Sequence, residues 1–248
     1  MLLAAYAACG FAVAGVHAWL LLRVREQRLN RYALQIALVT GGAAAILQPF
    51  SGDFLAGRVA RNQPVKLASM EGHFATMSGA PLRIGGIPNP TQRRTTNALE
   101  IPYGLSLLAF HHPGAVVKGL NDFPPEDWPP VVIVHLAFQI MVAAGIVMMG
   151  IALVGFWKWK HARLFQSDGF LRALIWTAPA GFVAIEAGWI VTEVGRQPWT
   201  IQGVMRTAEA VTPMPGLIVP FLTFTLLYIF LALVVVWLLF HQFRESHA

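Results

Sequence analysis

Apolar residues in this chain come in long unbroken blocks, not in the short rhythm of a water-facing helix. Residues 1–22, 32–52, 128–157 and 210–243 contain no Asp, Glu, Lys or Arg. Each block can cross about 30 Å of hydrocarbon at about 1.5 Å per helical residue. A further stretch, near 173–194, is as long and as apolar but carries Glu186 and Glu193. The pattern predicts transmembrane helices over residues 2–23, 32–51, 130–157, 170–194 and 216–241. Residues 1–22 lack the basic start and small-residue cleavage site of a signal peptide, and Arg23, Arg25, Arg28 and Arg31 follow the apolar run, so a retained helix is expected.

Between the second and third spans the pattern breaks. Residues 52–128 hold Pro64, Pro81, Pro88, Pro90, Pro102, Pro113, Pro124 and Pro125 together with many glycines. This segment is expected to be mostly irregular, with short helices near 65–76 and 103–110. The expected fold is an all-α membrane protein of five transmembrane helices with one long, mostly irregular outer-face loop. It divides into two helices over 1–51, the loop over 52–128 and three helices over 129–248.

Composition agrees and excludes other classes. Of 248 residues, 56% are hydrophobic and 12% charged, against about a quarter charged in a soluble domain. The single cysteine, Cys9, rules out an intrachain disulfide or a thiolate metal cluster. The net charge of +6 resolves into membrane-flanking clusters: Arg23, Arg25, Arg28 and Arg31; Lys158, Lys160, Arg163 and Arg172; and Arg244. If the helices alternate, all three clusters share one side, which the positive-inside rule makes cytoplasmic. The N-terminus and long loop are then outside, and Arg196 and Arg206 lie outside against the trend. Nothing in this charge calls for nucleic acid.

Ionisable groups inside spans are costly and mark candidate sites. Trp189, Glu193 and Arg196 follow i, i+4, i+7 spacing, with Glu186 near the same face. Such a strip can hold a metal centre or relay protons, or it can be an interfacial ion pair beside a belt tryptophan. His17 and His135 lie within spans and read as hydrogen-bonded packing residues. Met141, Met148 and Met149 supply thioethers able to bind haem iron, although methionine in an apolar helix usually packs. In the loop, Lys66 and Glu71 place a cation and a carboxylate five residues apart. They suit a carbonyl oxygen and a hydroxyl proton respectively, or are two solvated charges.

Taken together, these segments resemble one family. Residues 188–199, GWIVTEVGRQPW, are similar to the GWxxxExGRQPW signature of cytochrome bd-type quinol oxidase subunit I. Residues 63–72, QPVKLASMEG, resemble that family's quinol-loop motif, and residues 135–142, HLAFQIMV, resemble the helix that ligates its low-spin haem. The short outer loop and Gln139 are similar to the cyanide-insensitive branch. The resemblance implies a bacterial-type cell-membrane enzyme that oxidises quinol and reduces dioxygen to water with a low-spin haem b, a high-spin haem b and a haem d. It makes Met141 the axial ligand of the low-spin haem and Glu193 the carboxylate at the high-spin haem iron. Trp189 and Arg196 become the residues around that haem, and Lys66 and Glu71 the quinol pair. Glu186, His17 and His135 receive no such role. The family has nine helices in this subunit and the chain matches the last five. It is therefore expected to be a C-terminal piece that needs the N-terminal helices, a second oxidase subunit and the bilayer, and to be inactive alone. The histidine opposite Met141 is expected from outside the chain. The alternative is a non-catalytic membrane remnant or assembly module. A transporter is disfavoured because no pair of broken helices in inverted halves is evident.

Overall fold

The structure, a computed structural model, describes residues 1–245, with side chains described as far as Gln242, so the side chain of Arg244 lies outside it. Two compact units are present, Met1–Ala208 and Glu209–Ala248.

In the first unit, α1 (Leu2–Arg23) and α2 (Arg28–Asn62) pair closely. Small residues allow this: a Cβ added to Gly10 would come within 2.4 Å of the Gly41 Cα. In lipid, where apolar burial drives little, such backbone contact is a main source of helix association. Helix α2 runs well past its expected end at 51, through Asp53, Arg58 and Arg61 to Asn62. Charge marks where the hydrocarbon ends, not where the helix ends. The helix stops where Pro64 disfavours helical backbone at Gln63.

The segment that follows α2 is more ordered than its proline content suggests. After α3 (Pro64–Met70) come β1 (Met77–Ser78), β2 (Leu82–Ile84), β3 (Ile87–Asn89), β4 (Arg94–Thr96), β5 (Leu99–Ile101), α4 (Gly104–Phe110) and β6 (Val116–Val117). The pairs are antiparallel and nested: β3 with β4, β2 with β5, and β1 with β6. One long hairpin arm results, with α4 inserted near its base. Two small cores anchor it, one of Leu67, Ala80, Leu105 and Val117 and one of Val65, Phe74, Leu120 and Val131.

The chain re-enters as α5 (Val131–Lys160). The fourth crossing consists of two helices, α6 (Asp168–Thr177) and α7 (Ala180–Glu193), where one continuous helix was expected. The break falls at Pro179, which has no N–H to donate and clashes with the preceding turn. Together the two halves are long and apolar enough to span. Gly181 lets α7 rest on Ala8 of α1, and Gly42 of α2 faces Ala152 of α5. Phe11, Leu21, Leu34, Leu38, Phe170 and Leu174 fill the half of this bundle nearer residues 24–27.

Polar contacts tie the ends together. Arg25 pairs with Asp168 and donates to the Phe165 carbonyl at 3.2 Å, so the two basic turns share one end. At the other end Arg206 pairs with Asp127 at 2.7 Å, and Lys66 Nζ donates to the Thr192 carbonyl at 3.3 Å. These contacts carry the expected alternation through four crossings. The second unit contains α8 (Ile218–Glu245), of which Ile218–Gln242 is long and apolar enough for a fifth span.

Candidate functional site

Two places gather the candidate residues. The first is a cavity of about 430 Å³ between α1, α2, α5 and α7. Its walls are largely alanine and glycine, with Met141, Met148 and Trp189 among the larger groups. The volume lies in the range of roughly 300–1,000 Å³ usual for small-molecule and cofactor sites. Gly188 clears space for the thioether: a Cβ there would lie 3.2 Å from Met141 Sδ. Gln48, on α2, turns a buried and unpaired Oε1 into this same region. A mostly apolar slot with methionine sulfur in its wall suits haem. Among the described residues, no histidine lines the slot opposite Met141.

Glu193 and Arg196 form an ion pair at the end of α7, on the exposed surface of this chain. Glu186 and Trp189 are exposed as well. Lys66 reaches this end of α7, where its contact with the Thr192 carbonyl helps to satisfy a terminal acceptor. Burial holds the Lys66 ammonium below the usual lysine range; nearby Glu193 opposes that shift and Arg196 reinforces it.

The second place lies beneath the hairpin arm. Glu71 is 4% exposed and its Oε2 has no hydrogen-bond partner. Burial raises its carboxyl to about 7, against the pull of the Arg83 guanidinium. Arg83 Nη1 lies 3.1 Å from His73 Nδ1, and Arg83 Nε donates to Glu100 Oε1 at 2.9 Å. Burial, reinforced by Arg83, lowers the His73 imidazole to about 4, so the ring is neutral near pH 7. The Val117 carbonyl and Glu100 favour its protonated form but do not reverse the shift. Because the guanidinium can only donate, His73 Nδ1 accepts and Nε2 carries the proton, with no well-formed partner of its own.

Of the predicted pairs, Glu193 with Arg196 is in direct contact, and Met141 and Trp189 share one cavity. Lys66 and Glu71 face different surroundings, the first toward α7 and the second under the arm. His73, two residues after Glu71, carries no motif, and Arg83 reaches this site only through the fold of the arm, which no local spacing records. His17 and His135 are hydrogen-bonded, as expected of packing residues: His17 to Asn30, and His135 to the Met70 carbonyl, with the Gly85 carbonyl 3.2 Å from its other ring nitrogen.

Comparison with known proteins gives this geometry a family. The cytochrome bd terminal oxidase subunit I family matches residues 1–247. The chain belongs to that family. A Bacillus subtilis (strain 168) protein, provisionally named cytochrome bd menaquinol oxidase subunit I, is 38% identical over 99% of this chain and 56% of its own length. The cytochrome bd ubiquinol oxidase subunit 1 of the same organism is 32% identical over 98% of this chain and 54% of its own. The solved bd oxidase of Geobacillus thermodenitrificans superposes with a TM-score of 0.85 at 36% identity, over 98% of this chain and 56% of that one. This cytochrome bd subunit I chain thus spans about half the length of the curated relatives it matches.

Proposed function

We propose that this chain is the haem- and quinol-binding part of a respiratory quinol:dioxygen oxidoreductase in a bacterial cell membrane. The observation that carries the reading is the cavity with Met141 in its wall, on the helix against which the arm bearing Glu71 is folded. The relatives' printed names supply the reaction class, menaquinol or ubiquinol oxidase.

Met141 would hold the iron of the low-spin haem b from one side, while Gly188 and the neighbouring alanines leave room for the ring. Haem, when bound, accepts electrons one at a time from quinol and passes them toward dioxygen. A quinol loses two electrons and two protons; a dioxygen takes up four of each to give two waters. Lys66 offers a donor to a quinol oxygen. Glu71 accepts the hydroxyl proton; a headgroup has to enter beneath the arm to reach it. A carboxylate poised near 7 changes protonation at the working pH, as a general base needs to. Arg83 holds part of the Glu71 population ionised.

Glu193, with Trp189 and Arg196 beside it, would serve the high-spin haem. On this chain that surface is open, and charged groups of a membrane-crossing helix usually face protein or a water-filled cavity. We assign its cover to the N-terminal helices of subunit I and the second oxidase subunit. A further iron ligand and the haem d site would be supplied by those same partners. We assign the arm and the N-terminus to the outer face, since the basic turns lie at the other end.

The test is quinol-driven dioxygen uptake by membranes carrying the assembled oxidase. The reading expects Glu71→Ala to remove uptake from quinol while a small artificial electron donor still supports it. Normal quinol kinetics in that variant would remove Glu71 from the mechanism. A complex that binds no haem would favour the assembly-module alternative.

A further inference from the structure

Within two turns, helix α5 serves two sites. His135 and Gln139 are four residues apart and share a face, whereas Met141 lies about 200° around the helix from Gln139, toward the cavity. His135 is fully buried. Its Nδ1 lies 2.8 Å from the Met70 carbonyl oxygen and its Nε2 3.2 Å from that of Gly85. Gln139 adds two more contacts: its Nε2 donates to the Arg83 carbonyl at 3.0 Å, and its Oε1 accepts from the Gly85 N–H at 3.1 Å.

The loop residues so held are the ones that frame Glu71. Met70 precedes it in sequence, and the Arg83 side chain is the cation acting on its carboxyl. The intervening backbone is pressed against α5 as well. Gly72 sits at φ +57°, and a Cβ there would come within 2.6 Å of Thr95 Oγ1 and 3.4 Å of His135 Nδ1. The reaction outlined above uses neither His135 nor Gln139.

We propose that His135 and Gln139 are positioning residues that clamp the segment bearing Glu71 onto the stretch of α5 presenting Met141, and so fix a quinol headgroup relative to the low-spin haem. This rests on the haem and quinol reading given above. Its physical basis is that proton acceptance needs hydrogen-bond reach, and a displacement of about 1 Å can cost about 10²-fold in rate. One hydrogen bond from the single N–H of the neutral His135 ring and two from Gln139, on adjacent turns, restrict sliding of the arm along the helix more than apolar packing does.

The experiment uses the assembled, haem-loaded oxidase containing this chain. Gln139→Leu removes both glutamine contacts at similar volume. Gln139→Glu keeps the acceptor for Gly85 and loses the donor to Arg83. Haem bands, dioxygen reduction from a small artificial donor, and quinol kcat and KM are measured for each. Gln139→Leu should leave the bands and artificial-donor rate at the wild-type level while lowering quinol kcat/KM about tenfold or more. Gln139→Glu should lie between it and wild type. Unchanged quinol kinetics, or equal loss with both donors, would overturn the clamp. If Gln139→Leu does not assemble, Gln139→Glu decides by the same criteria. A wild-type complex that quinol does not reduce sinks the functional reading and the clamp together; normal wild-type reduction with unaltered variants sinks the clamp alone.

Discussion

The carboxylates of the hairpin arm and of helix α7 sit the wrong way round for simple intuition. Glu71 belongs to a polar loop outside the spans and is 4% exposed; Glu186 and Glu193 belong to a membrane-crossing helix and are exposed on this chain. The arm makes its own interior: nested strands and two small cores cover Glu71, His73 and Arg83. Helix α7 offers a face that this chain does not cover. The difference separates a site whose electrostatics are built locally from one completed by partners. Substitutions under the arm should therefore change chemistry with assembly intact, while substitutions on the α7 face should change assembly and chemistry together.

The largest effect that would break this contrast is at Met141. Met141→Leu keeps volume and apolarity but removes the sulfur, so the low-spin haem signal should vanish from the assembled complex while subunit I still accumulates. An unaltered spectrum would return Met141 to a packing role. Next in size is Glu71→Gln, close to isosteric, which should reduce quinol turnover by about 10²-fold or more without altering haem content. Loss of haem in that variant would contradict the local character of the arm.

Arg83→Gln sharpens the comparison further. Glu71 must be ionised to accept a proton, so quinol turnover should rise with pH through about 7. Arg83 pulls that carboxyl down, and its removal should move the rising limb to higher pH. A pH profile identical to wild type would place the limiting titration elsewhere. The smallest expected effect is at Gly188, where alanine would set a methyl 3.2 Å from Met141 Sδ. That crowding should cost about 1 kcal/mol and shift the low-spin haem band slightly; an unshifted band would place the ring away from α7.

Much of this was legible in the sequence, for reasons that also explain the gaps. Spans are set by apolar length, so four crossings could be counted from uncharged blocks and the fifth from a stretch of equal length and apolarity that carries Glu186 and Glu193. That signal is blind to a helix leaving the membrane, as α2 does from Asp53 to Asn62, and it passed over the break that Pro179 makes in the fourth crossing. The nested arm was hidden because its strands are two or three residues long and depend on pairings such as Arg83 with Glu100. Lys66 and Glu71 were found by motif, but their separation into two surroundings depends on the tertiary path of α3. His73 carries no motif; only its contact with Arg83 reveals its state.

The most direct measurement is the visible absorption spectrum of the purified complex containing this chain, recorded without oxygen before and after quinol is added. The account predicts that b-type and d-type α bands appear on quinol addition and fade when dioxygen is admitted. A complex in which haem is absent, or stays oxidised in the presence of excess quinol, would contradict it.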